Sequence, residues 1–241
     1  MSTPTNTQNA DSNALVITTP DGDFSAFVAL PKADSAPVIV VIQEIFGINA
    51  DMRETCRQLA ALGYIAVCPD LYWRQEPGVS LTDQTQDEWN KAMTFYTAFD
   101  VDAGVSDIAA TISAALKLPG ASGKVGAVGY CLGGLLAYLT ATRTDADAAV
   151  AYYGVGIDQH LDEAANINQS LLMHIAEEDE FVPPETRQRI LTALQGNHQV
   201  DIHLYPGCNH AFARNAGAHY DAVAARLANA RTAEFFDKHL K

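Results

Sequence analysis

The sequence predicts an α/β fold: a mainly parallel, twisted sheet with helices on both faces and an N-terminal hairpin. Three observations predict it. Apolar, β-branched runs alternate along the chain with segments of helical periodicity, as crossovers between parallel strands require. Several of those runs, such as Tyr64–Cys68 and the first five residues of Val38–Ile45, are apolar without alternation, which suits strands covered on both faces. One run, Lys124–Val128, passes through Gly129-Tyr130-Cys131-Leu132-Gly133 directly into a helical pattern.

Taken in order, Leu15–Thr19 and Phe24–Leu30 flank Pro20-Asp21-Gly22-Asp23, whose turn chemistry predicts a hairpin. Val38–Ile45 is a buried strand. Asp51–Leu62 is a helix, with Asp51 as its cap and Gly63 as its stop. Tyr64–Cys68 is the next strand. The longest loop, Tyr72 to Asp83, carries Pro77-Gly78 and is placed to border a cleft. A helical stretch from about Gln84 to Leu116 is interrupted near Phe99-Asp100. Beyond Cys131 come a helix, strands Ala148–Tyr153 and Leu171–Ile175, helix Pro184–Gln195, strand Val200–Tyr205 and a final helix from Tyr220 to Leu240. Residues 1–12 are polar and read as a disordered tail ahead of a single domain spanning 13–241, without internal repeats.

A hydrophobic content of 48% against 18% charged residues excludes global disorder. The net charge of −14 argues against nucleic acid or an anionic membrane as partner, since both call for basic patches. A small anionic ligand stays open, because a distant field is screened within about 8–10 Å. No apolar run approaches the roughly 20 residues of a membrane span, and no secretory signal pattern is present, so a cytoplasmic location is expected. Cys56 and Cys68 read as buried small hydrophobes. His174, His203 and His210 follow no metal-ligand spacing, and neither metal nor cofactor is expected. A monomer is expected.

Glycines two before and two after Cys131 permit a sharp strand-to-helix turn that holds a nucleophile out at the top of a sheet. Alone, the pattern reads more simply as a buried cysteine at a glycine-rich junction. Two further strand ends change that balance. Leu171–Ile175 runs into Glu177-Glu178-Asp179-Glu180, and Val200–Tyr205 runs into Cys208-Asn209-His210. Nucleophile, acid and histidine thus occur in that order, each past a strand end, the edge where ligand crevices form in parallel sheets. An unassisted thiol is only about 3% ionised at pH 7, so Cys131 needs a base. His210 would take its proton, and a carboxylate would fix the imidazole tautomer and stabilise its cation. The amide of Leu132, at a helix N-terminus, is a candidate oxyanion donor. A competing reading makes the scaffold a ligand receptor, or Cys131 a redox-sensing thiol with Cys208 as its partner.

The chain resembles the dienelactone hydrolases (carboxymethylenebutenolidases), a family of the α/β-hydrolase fold, over nearly its whole length. The blocks that carry the likeness are Gln43-Glu44-Ile45-Phe46-Gly47, Cys68-Pro69-Asp70-Leu71-Tyr72, Gly129 to Gly134, Tyr152 to Gly156, Asp179 to Pro183 and His210-Ala211-Phe212-Ala213-Arg214. The resemblance implies a lactone or ester hydrolase with Cys131, Asp179 and His210 as triad, a thioester intermediate, and Ile45 as second oxyanion donor. It implies that Glu44 contacts the resting thiol and swings toward an arginine when substrate binds, and that Arg214 receives a substrate carboxylate. It further implies that a leaving enolate helps to activate water, so that simple alkyl esters are slow. The chain departs from the family pattern at Trp89 and Met93, where dienelactone-cleaving members carry an arginine and a tyrosine. Trp89, Met93 and Tyr96 share one helix face. The stripe reads first as core packing; lining a pocket, it favours a less polar or larger ester, as in a broad-specificity carboxylesterase.

Overall fold

The computed structural model describes residues 14–215 and 217–241, so the expected tail over 1–12 lies outside the described residues. Eight strands form one sheet: β1 (Ala14–Thr19), β2 (Gly22–Ala29), β3 (Ala36–Ile42), β4 (Ile65–Pro69), β5 (Ala121–Tyr130), β6 (Ala148–Tyr152), β7 (Ser170–Ala176) and β8 (Val200–Tyr205). Their order is β1-β2-β4-β3-β5-β6-β7-β8. β1 and β2 form the predicted hairpin about Pro20-Asp21, and β2 pairs antiparallel with β4. Every pairing from β4 through β8 is parallel. The chain moves one way from β3 to β4 and the other way from β5 onward, so the topological switch point lies at β3 and β5.

Helices α1 (Ala50–Ala61), α2 (Gln86–Thr97), α3 (Val101–Ala115), α4 (Leu132–Arg143), α5 (Pro184–Leu194) and α6 (Ala222–Leu240) join the strands. α1 packs on β2, β3 and β4, and α6 on β5, β6 and β7, while α3 and α4 pack on each other and on the sheet. β3 and β4 are buried along their whole length, as their unbroken apolar runs require. No helix among the described residues is long and apolar enough to cross a membrane.

Several boundaries differ from the sequence reading, each for a local reason. β3 stops at Ile42 instead of Ile45, because the chain turns there and the Gln43 side chain accepts the Leu71 amide at 3.2 Å. Asn49, not Asp51, caps α1 by accepting the Met52 amide at 3.1 Å; its backbone is extended, whereas Asp51 already lies within the first turn. α6 begins at Ala222, because Asp221 accepts the amides of Val223 and Ala224. The break near Phe99-Asp100 stands where expected, with Asp100 capping α3 through the Ala103 amide. Short 3-10 turns over Ile157–Gln159 and Leu161–Asn166 fill a segment that the sequence left unassigned.

α2 opens on a reciprocal cap. Thr85 Oγ1 accepts the Glu88 amide at 3.2 Å, while Glu88 accepts from the hydroxyls of Thr82 and Thr85 and from the Thr82 amide. This fixes the loop carrying Asp83. On β7, His174 is fully buried between Thr232 Oγ1 at 2.9 Å and Tyr205 Oη at 2.8 Å. Burial holds its imidazole well below the usual pKa, so it serves as a neutral structural link.

Candidate active site

Cys131 stands between β5 and α4 with φ 57° and ψ −115°, a conformation that non-glycine residues rarely adopt. Such a residue costs on the order of 1–3 kcal/mol and persists only where its surroundings hold it. Here its amide donates to the Tyr152 carbonyl at 3.1 Å, and its carbonyl accepts from the Gly134 amide at 2.9 Å. The flanking glycines are a packing requirement. A Cβ at Gly129 would lie 1.8 Å from the Gly133 carbonyl oxygen, and one at Gly133 would lie 2.4 Å from that of Ile42. Their absence lets the start of α4 close onto the end of β3. The amides of Leu132 and Ile45, both in buried residues, donate no hydrogen bond to any partner among the described residues.

His210 follows β8 and Asp179 follows β7, and both are buried. His210 Nδ1 lies 2.9 Å from Asp179 Oδ2, whose other oxygen accepts the Phe181 amide at 2.9 Å. Of the four acids open to this role, Asp179 alone is buried and on the imidazole; Glu178 and Glu180 are exposed. Asn209 ties the two loops together by accepting the Glu180 amide at 3.1 Å. The opposite nitrogen of His210, Nε2, is buried and meets no partner in regular hydrogen-bond geometry. The Cys131 sulfur is nonetheless near enough to raise its proton affinity. Burial works against the imidazolium, but the Cys131 charge and the Asp179 hydrogen bond outweigh it and lift the pKa to about 10.

Cys131 and His210 open onto one pocket lined by Ile45, Trp89, Met93, Tyr96, Val155, Phe181 and Arg214. The Trp89, Met93 and Tyr96 stripe therefore does both things the sequence left open: it packs on the core and it walls the pocket. Arg214 is the pocket's only fixed cation among these residues, and it is heavily engaged. Its Nε and Nη2 donate to Glu44 at 2.6 and 3.1 Å, and its Nη1 donates to Asp83 at 2.8 Å. The guanidinium also stacks on Phe46, 4.9 Å from the ring centre. Glu44 thus sits on Arg214 rather than on the thiol, while Arg53 turns to the Ile48 carbonyl and the Phe27 ring.

Four neighbours of the site were not singled out from the sequence. The His210 ring is held edge-on between Tyr153, at 5.2 Å, and Phe181, at 4.8 Å. The Tyr72 hydroxyl is buried without a hydrogen-bond partner, and the Cys131 charge bears on it. Asp83 reaches Arg214 across 131 residues of sequence. Tyr72, Tyr153 and Phe181 belong to the blocks quoted above, and Tyr72 and Asp83 end the loop placed to border a cleft, but no signal pointed to the contact that each one makes. Cys208, the suggested resolving thiol, is buried in the turn after β8 and does not line the pocket. Cys56 and Cys68 are fully buried against each other.

A sequence profile of the dienelactone hydrolase family matches residues 24–240. The chain belongs to the dienelactone hydrolase family. A protein of Azospirillum brasilense, provisionally named a carboxymethylenebutenolidase, is 51% identical over 91% of this chain and 95% of its own length. A carboxymethylenebutenolidase of Pseudomonas putida is 46% identical over 88% of this chain and 90% of its own. A crystal structure from Klebsiella pneumoniae, provisionally named a dienelactone hydrolase, superposes with a TM-score of 0.83 at 28% identity, covering 95% of this chain and 100% of that one. The sheet order and the elbow at Cys131 are accordingly those of an α/β hydrolase, and the family member described here is a hydrolase of lactone or ester bonds.

Proposed function

We propose that the protein is a thiol hydrolase cleaving a lactone or activated ester through Cys131, His210 and Asp179. The observation that carries this reading is the position of His210, with one nitrogen on Asp179 and the other buried beside a cysteine in strained elbow geometry. His210 takes the thiol proton, and Sγ attacks the ester carbonyl. The amides of Leu132 and Ile45 receive the oxyanion. Collapse breaks the bond to the ester oxygen, His210 returns the proton to that oxygen, and a thioester remains on Cys131. A water, giving its proton to His210, then attacks the thioester and releases the acid and the thiol. Asp179 holds the imidazole tautomer and stabilises its cation throughout. On this reading Glu44 occupies its Arg214-bound position, which leaves the thiol free to react. The family likeness supports a small-molecule ester or lactone substrate; a monomeric state and a cytoplasmic location are part of the same proposal.

The test is kcat/KM for cis-dienelactone and for a neutral aryl ester, with Cys131→Ala as control, followed by acid quench and mass analysis of the intact protein. The expected result is loss of both activities in the variant, and in the parent an acyl mass adduct on Cys131. Turnover near the parent level in Cys131→Ala would overturn the mechanism.

A further inference from the structure

Arg214 is the one arginine lining the pocket, and a substrate carboxylate would bind it best through two parallel N–H donors. Three of its five N–H groups, on all three nitrogens, are already engaged. Glu44 fills the fork of Nε and Nη2, and Asp83 takes Nη1, so every guanidinium nitrogen carries a carboxylate contact within the protein itself. The Arg214, Glu44 and Asp83 side chains are each at most 10% exposed, so water weakens these pairs little. Two carboxylates against one guanidinium leave the cluster, which meets the pocket through Arg214, with one net negative charge.

We infer that Asp83 is a specificity-determining residue: it stands in for the substrate carboxylate on Arg214 and sets the site for uncharged esters or lactones. Its position is built rather than incidental. The reciprocal cap of Thr85 and Glu88 holds the loop from the α2 side, Gln84 donates to Asp83 Oδ1 at 2.6 Å, and Arg214 takes Oδ2. The apolar wall follows the same logic, since Trp89 and Met93 offer no second cation to an anionic substrate. An acid-bearing lactone must displace Asp83 from a short, shielded ion pair before it can bind. A neutral ester meets no such competitor.

This inference rests on the proposed thiol hydrolase, and its test separates the two. The free acid of dienelactone and its methyl ester are compared in the parent protein, in Asp83→Asn and in Asp83→Ala, with Cys131→Ala as the background. In the parent the methyl ester is expected to have the higher kcat/KM. In Asp83→Asn the ratio of acid to methyl ester should rise about tenfold or more, chiefly through a lower KM for the acid. Asp83→Ala should shift the ratio in the same direction. A parent that prefers the acid overturns the inference without need of any variant. An unchanged ratio, or an equal fall for both substrates, overturns it too and returns Asp83 to loop anchoring. Activity surviving in Cys131→Ala would instead sink the nucleophile assignment and leave the charge argument standing.

Discussion

His210 Nδ1 and Asp179 Oδ2 lie 2.9 Å apart in a buried contact that, with Cys131 beyond it, keeps the imidazole charged far above its ordinary range. Because the folded pKa, about 10, exceeds the unfolded value of 6.5, the charged ring stabilises the fold fully below about 6.5. That contribution is lost as pH rises through 10. In the proposed mechanism the same proton is needed for the leaving group. kcat/KM for a stable aryl ester should therefore hold from pH 7.5 to 9.5 and fall above about 10. An alkaline loss centred near pH 7 would contradict this assignment.

Trp89 walls the pocket beside Arg214, where a second cation would face an anionic substrate. Trp89→Arg should raise the kcat/KM ratio of dienelactone acid to neutral aryl ester by about tenfold, which corresponds to roughly 1.4 kcal/mol. A ratio that stays constant returns Trp89 to a packing role.

Gly133 has no room for a side chain, since a Cβ would enter the Ile42 carbonyl and only backbone movement could relieve it. Gly133→Ala should lower stability by on the order of 1–3 kcal/mol or more, seen as a drop in Tm. An unchanged melt would show that α4 does not close on β3 as described.

Tyr72 buries a hydroxyl that has no hydrogen-bond partner among the described residues, while its ring stacks on Phe95 at 5.1 Å. Tyr72→Phe keeps the ring and removes an unsatisfied group, so stability should match or exceed the parent's. A loss above about 2 kcal/mol in denaturant unfolding would reveal a partner for that hydroxyl.

The alternation of elements and the order of Cys131, Asp179 and His210 were legible because backbone demands are written locally. The glycines around Cys131 mark a close approach, and the apolar runs mark strands buried on both faces. Fine boundaries were less legible. Asn49 and Asp51 are both capping types, and only the extended backbone at Asn49 decides between them. The resemblance gave the partner of Glu44 only as an arginine, and the choice of Arg214 over Arg53 is made only in the folded chain. Asp83 was silent for a different reason. An aspartate before a helix reads as a turn residue, and its contact with Arg214 exists only once two distant loops meet.

Ile45, Cys131, Asp179 and His210 each stand at the end of a different strand, β3, β5, β7 and β8. No contiguous fragment shorter than most of the chain can hold them together, so on the proposed triad hydrolysis reports assembly of the sheet from β3 to β8. A refolding chain that has paired β3 with β5 already owns its elbow and its thiol, but the proposed base, His210, arrives only when β8 docks at the sheet's far edge. Such long-range pairings carry a high loop-closure cost and come slowly. Regained activity should therefore trail the return of secondary structure, with Cys131, the proposed nucleophile, assembled first and armed last.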